Sequence, residues 1–171
     1  MTADNHTKSK KAYLVSLKHK LKKHLQLQSA SPTEVNDSWH NRFMAASTII
    51  LITASFYAYG GMVHVLNMLS LSGFNWHSAP IKWQALDVTY LILDVVVVVG
   101  LVRRWKVGYV AFYVAAISQI FLYTVFLDWI VDVPTEFAVT DGQLSYLSML
   151  VAFHSITLIL VTAALKVENH R

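Results

Sequence analysis

The sequence predicts an all-α integral membrane protein, a four-transmembrane-helix bundle carrying a basic amphipathic N-terminal segment. Two observations carry this. Of 171 residues, 55% are hydrophobic and only 14% are charged, against about 25% charged in an ordinary soluble domain. Four stretches are also mostly apolar over about 20 residues, the length a helix needs to cross about 30 Å of hydrocarbon.

The first stretch, about Phe43 to Leu69, begins just after Arg42 and contains no Asp, Glu, Lys or Arg. It is long enough to cross with tilt. The second, about Trp83 to Val102, includes the run Val95 to Val99. In water such a run suggests a buried strand, but a lone strand cannot satisfy its backbone in lipid, so a helix is expected. The third covers about Val107 to Phe126, and the fourth about Leu144 to Leu165, with Lys166 just beyond. The domain division that follows is a basic tail over 1–41 and a membrane domain over 42–171.

Formal net charge is +4, yet seven of the fourteen Lys and Arg residues lie between Lys8 and Lys23. The basicity belongs to one tail, which weakens a nucleic-acid reading. Within that tail Leu14, Leu17, Leu21 and Leu25 recur at helical spacing. The pattern is that of a helix lying on anionic inner-leaflet lipids through Lys8 to Lys23; the plainer alternative is a solvated basic tail. Ser29 to Ser38, with Pro32, reads as a linker. No apolar core of signal-peptide length follows the first basic residues, so a cleaved secretory leader is not expected.

Positive charges also orient the bundle, because Lys and Arg in short connections stay on the cytoplasmic side. The basic tail, the Arg103, Arg104, Trp105, Lys106 turn, Lys166 and Arg171 must share one side of a four-span protein. The connection over Leu127 to Gly142, with Asp128, Asp132, Glu136 and Asp141, falls on the other. Both termini are therefore expected in the cytoplasm of a bacterial-type inner membrane. Trp76, Trp83 and Trp129 mark the outer boundary and Trp105 the inner one, as interfacial anchors do.

Cysteine is absent, which excludes disulfides, thiolate metal sites and cysteine nucleophiles. No phosphate-binding glycine loop, zinc-protease helix or nucleophile-elbow turn occurs, so no enzyme class is assigned by motif. The informative residues are the polar groups inside the spans, where an unpaired side chain costs several kcal/mol. Span one carries Tyr57, His64 and Asn67, span two Asp87, Tyr90 and Asp94, span three Gln119 and Tyr123, and span four Ser148, His154 and Ser155. At about 1.5 Å per residue, Asp94 and His154 lie about 16 Å below the outer surface and Gln119 about 18 Å above the inner one. These three form a midplane group. His64, Asp87, Tyr123 and Tyr146 form an outer layer. Asp87 and Asp94, two helical turns apart, share a face and link the layers.

Two readings compete for these groups: a ligand- or proton-binding site, or a hydrogen-bonded cluster holding the helices together. The cost of a midplane aspartate favours function for Asp94. Asp87 and His64, nearer the surface, lean to the structural reading. Bis-histidine haem between His64 and His154 is disfavoured, since the two differ by about 8 Å in height. A metal held by His64, His77 and the outer acids lacks tight ligand spacing. Ala54, Ala58 and Gly61 on span one, and Gly108, Ala111 and Ala115 on span three, are small residues that allow close helix approach.

An Arg-led first span ending in Tyr59, Gly60, Gly61, Met62, Val63, His64, followed by a tight Arg103, Arg104 inner turn, resembles the DoxX-like bacterial inner-membrane proteins over roughly Arg42 to Lys166. That family is linked in some members to quinone-coupled or oxidative-stress redox complexes. The resemblance implies an accessory or quinone-facing role. The functional expectation is an accessory membrane subunit, more a binding protein than an enzyme, that holds a lipophilic small molecule or quinone through Asp94, His154, Gln119, Asp87, His64 and Tyr123. Partner membrane subunits or a second copy of the chain are natural associates. A quinone-coupled oxidoreductase subunit and a proton-coupled transporter working as an oligomer are the alternatives.

Overall fold

The computed structural model describes residues 15–22 and 32–169, with side chains of 32–39 and 168–169 left aside. The chain divides into two compact units, Met1–Arg42 and Phe43–Arg171. In the first, residues 15–22 are helical (α1) and expose Val15, Leu17 and Leu21. The rest of the amphipathic segment expected over Lys8 to Leu27 lies outside the described residues.

Four long helices follow: α2 (Pro32–Met68), α3 (Ile81–Val102), α4 (Lys106–Thr124) and, after the single-turn-and-a-half α5 (Leu127–Val131), α6 (Asp141–Asn169). Each of the four contains a segment long and apolar enough to cross a membrane: His40–Met68, Ile81–Val102, Lys106–Thr124 and Asp141–Val167. The segment read as a linker, Ser29 to Ser38, instead carries the start of α2 from Pro32 onward. Proline at a first helical position loses no bond, because that N–H has no intrahelical acceptor.

Polar groups lie buried beside the apolar core, and large apolar side chains cover the outside. Thr53, Asp87, Asp94, Gln119, His154 and Thr157 are buried, while Ile92, Val110, Phe121 and Ile159 project outward, Ile159 being 71% exposed. Only a bilayer makes that arrangement favourable around closed helices. The protein is a small multi-pass membrane protein.

Buried positions recur every three or four residues on each helix. On α3 they are Asp87, Tyr90, Asp94, Val97 and Leu101; on α4, Gly108, Ala111, Phe112, Ala115 and Gln119; on α6, Leu150, His154, Thr157, Val161 and Ala164. These stripes face one another around a core of Ile50, Tyr57, Val97, Leu101, Phe112 and Val161. Helix α4 packs against both α3 and α6. Ala54 and Gly61 lie inside as close-packing residues, whereas Ala58 faces outward.

The tightest approach is between α3 and α4. A Cβ on Gly100 would stand 2.2 Å from the Gly108 Cα, and one on Gly108 would stand 2.3 Å from the Gly100 Cα, so both positions need hydrogen. The turn between these helices is a Schellman closure: Trp105 N–H donates to Gly100 C=O at 2.8 Å and Arg104 N–H to Leu101 C=O at 3.1 Å. Arg104 takes the left-handed conformation that this closure demands, φ 54°. Its guanidinium then donates to Ser47 Oγ at 2.8 Å and covers the Phe43 ring, tying the turn to α2.

At the opposite end, two loops are organised rather than loose. The segment after α2 closes with Ser70 at φ 58°, and Leu71 N–H donating to Leu66 C=O completes a second Schellman closure. A short turn at Trp76–Ser78 follows, capped by the Asn75 side chain. The other loop carries α5 and a turn at Thr135–Phe137. Lys82 Nζ, in the first turn of α3, ties that helix to this second loop by donating to the carbonyls of Trp129 and Asp132. Trp83 Nε1 donates to Ile130 C=O at 3.1 Å.

Candidate functional site

Helices α2, α3, α4 and α6 enclose a cavity of about 320 Å³, near the lower end of the range for small-molecule sites. It reaches from Ser72, Phe74 and Val139 in the loops down to Tyr57, Asp94 and His154. Along α2 it follows Phe56 to Asn67, a length of about 16 Å at the helical rise. It therefore stops about halfway along the apolar segment of α2, His40–Met68, where Gln119, Phe56, Tyr57 and His154 line its inner end.

All six residues singled out above, Asp94, His154, Gln119, Asp87, His64 and Tyr123, line this one cavity. Tyr90 and Tyr146 join them. Ser148 and Ser155 do not: each hydroxyl donates back to a carbonyl of its own helix, Leu144 and Val151. This is the usual local refuge of a serine in a membrane helix.

The two aspartates differ sharply in their surroundings. Asp87 accepts three hydrogen bonds, from His64 Nδ1 at 2.7 Å, Asn67 Nδ2 at 3.0 Å and Trp76 Nε1 at 3.0 Å. Its carboxylate is thereby satisfied by two helices and a loop, and it fixes the His64 ring with Nε2 turned the other way. The ring also stacks on Tyr90, whose hydroxyl donates to Ser118 Oγ at 3.1 Å. Asp94 is 3% exposed. His64 Nε2 lies 3.9 Å from its Oδ2. A Cβ on Gly60 would stand 2.9 Å from that same oxygen. Glycine in the Gly60, Gly61 pair thus makes the space that Asp94 occupies.

The result is a row, Asp87, His64, Asp94, leading from the loop end toward the cavity floor. His64 thus stands between the two carboxyl groups, with Nδ1 toward Asp87 and Nε2 toward Asp94. At the floor, His154 Nδ1 lies 2.7 Å from the Leu150 carbonyl. His154 Nε2 and the Tyr57 hydroxyl are buried with no hydrogen-bond partner among the described residues. Gln119 likewise makes no side-chain hydrogen bond among the described residues.

No family model matches the chain, and no curated protein or solved structure does so. The site is therefore read from its own chemistry. Among the described residues no group of three His, Asp or Glu side chains is placed to hold a metal ion. His64 is engaged by Asp87, and His77, the other histidine considered as a ligand, is exposed.

Two contributions escaped the sequence reading of the site. Trp76, whose place near a span end marks it as an interfacial anchor, also donates to Asp87. Only the folded-back loop brings it there, and no local pattern signals that. Tyr57 is visible in the sequence as a polar group in span one. Its place opposite His154, at 5.8 Å between ring centroids, depends on the packing of the first membrane helix against the last.

Proposed function

We propose that this protein is an accessory, non-catalytic subunit of a bacterial-type inner membrane that binds a lipophilic small molecule in the cavity of its helix bundle. The observation that carries the reading is the meeting of Asp94, Gln119, Tyr57 and His154 in one largely apolar space, with the Tyr57 hydroxyl and His154 Nε2 unpaired among the described residues. Apolar walls with a few convergent polar atoms are the usual make-up of a small-molecule site. A cluster that served only to hold helices together would pair these groups with one another.

The DoxX-like resemblance is kept as part of this proposal and brings quinones among the ligand classes. The Tyr57 hydroxyl and the Gln119 amide offer donors to a quinone carbonyl, and Asp94 and His64 line the same cavity. By the positive-inside argument, Arg103, Arg104 and Lys106 face the cytoplasm, so the cavity opens on the opposite side. A cysteine placed at Asp132 in this cysteine-free chain tests the orientation by labelling of intact cells.

The ligand reading is tested by native mass spectrometry and absorption spectroscopy of gently solubilised protein beside Leu147→Trp, which fills the cavity. Retention of a lipophilic molecule by the wild type and its loss from Leu147→Trp is expected. No retained molecule in the wild type after lipid extracts are offered, or equal retention by both, refutes it.

A second reading, proton-coupled transport by an oligomer, is favoured by the Asp87, His64, Asp94 row. It requires a substrate-dependent proton flux in reconstituted vesicles that Asp94→Asn abolishes. Flux that persists in the variant refutes it.

A further inference from the structure

The chemistry at the cavity floor narrows the ligand further. The Leu150 carbonyl can only accept, so His154 Nδ1, 2.7 Å away, carries the hydrogen. In the neutral ring Nε2 then presents a lone pair and needs a donor. The Tyr57 hydroxyl presents a hydrogen and needs an acceptor. Tyr57 is 2% and His154 1% exposed, and neither atom finds a partner among the described residues. Leaving such atoms unpaired away from water is unfavourable.

The surroundings of these two atoms are aromatic. His154 meets Phe56 edge-on at 6.0 Å and Tyr57 at 5.8 Å between centroids, and Phe56 stacks on Phe153 at 3.4 Å. Aromatic rings prefer such stacked and edge-on neighbours, so the floor suits a flat ring. From that floor to Asn67 the cavity measures about 16 Å along α2 in all, which leaves room above a ring for an attached hydrocarbon chain.

Resting on the ligand reading above, we propose that the cavity takes an alkylated phenol. Its hydroxyl lies at the floor, donating to His154 Nε2 and accepting from Tyr57, and its chain runs toward Ser72. A hydroxyl serves both orphaned atoms because it donates and accepts at once. A ketone, quinone carbonyl or ether only accepts, and leaves Nε2 without a donor. The hydroxyl-bearing form is therefore selected over a ligand of equal shape that lacks the hydrogen.

The test compares para-octylphenol with para-octylanisole, the matching methyl ether, on the full chain in nanodiscs, with binding to protein-free nanodiscs subtracted. The wild type is expected to bind the phenol about tenfold or more tightly than the ether. His154→Phe keeps a ring but removes the acceptor, and is expected to bring the two affinities together by weakening the phenol alone. Tyr57→Phe removes a donor that both probes use, so both weaken and their ratio persists. Equal binding of phenol and ether by the wild type overturns the inference, since water then bridges the two atoms, while the ligand reading stands. Unchanged discrimination in His154→Phe also overturns it. Binding of neither probe overturns the inference together with the ligand reading.

Discussion

Replacing Gly100 by alanine is the most direct test of the packing that holds the bundle. The added Cβ would stand 2.2 Å from the Gly108 Cα and 2.7 Å from its nitrogen. Carbon atoms pack at about 3.5–4.0 Å, so α3 and α4 must part by more than about 1 Å. A gap of about 0.5–1 Å already forfeits a quarter to a half of each contact's attraction. The obstruction is backbone on both helices, and the Schellman turn beside it leaves little slack for relief. Overpacking costs about 1–3 kcal/mol, and with no side chain able to swing aside the upper end, about 3 kcal/mol, is expected. The assay is reversible unfolding in mixed micelles, followed by tryptophan fluorescence. Gly142→Ala is the control: its nearest atom is Thr140 Oγ1 at 3.9 Å, and its effect should stay within about 0.5 kcal/mol. A Gly100→Ala protein within about 0.5 kcal/mol of the wild type would refute the close-contact account.

Gly60→Ala should behave differently, because its Cβ meets the end of the Asp94 side chain at 2.9 Å rather than backbone. Stability should fall by less than about 1 kcal/mol while retention of the cavity ligand drops, measured by thermal unfolding beside native mass spectrometry. Asp87→Asn keeps the shape but turns an amide toward the three donors from His64, Asn67 and Trp76. A loss of about 3 kcal/mol is expected, read in the same unfolding assay. Lys82→Met removes the donor to the Trp129 and Asp132 carbonyls. Protease cleavage between 127 and 140 should accelerate with little change in the unfolding of the membrane helices.

The spans were legible because run length and charge exclusion are local properties of the chain. Their ends were not always so. The last membrane helix begins at Asp141, not at Leu144, because Thr140 and Gln143 form a reciprocal cap. Thr140 N–H donates to Gln143 Oε1 at 2.8 Å, and Gln143 N–H donates to Thr140 Oγ1 at 3.3 Å. That Thr-x-x-Gln signature lies in the sequence, masked there by the polar character of the segment. The third span, expected to reach Phe126, stops at Thr124. No proline or glycine marks this end, and the chain there turns to start α5.

Membership of the polar cluster was readable residue by residue, since few polar groups occur inside the spans. Depth counting divided them into a midplane group and an outer layer. The structure joins both in one elongated cavity, because Asp87 and Asp94 lie on the same face of α3 and His64 stands between them. Which atoms remain unpaired could not be read from spacing. That property depends on the ring orientations of Tyr57 and His154, fixed by contacts between helices far apart in the chain.

The contacts of the bundle also differ in when they become available. Gly100 and Gly108 flank a tight turn, so the α3 and α4 hairpin closes a short loop and can form as soon as its second arm exists. The cavity floor needs Phe56 and Tyr57 from one end of the membrane domain and Phe153 and His154 from the other. No partial chain lacking α6 possesses it. A molecule held there recognises the finished bundle alone and shifts the equilibrium toward it by mass action. Occupancy of the cavity is thus a readout of completed assembly, and a suitable ligand supplied during expression should raise the yield of correctly folded protein.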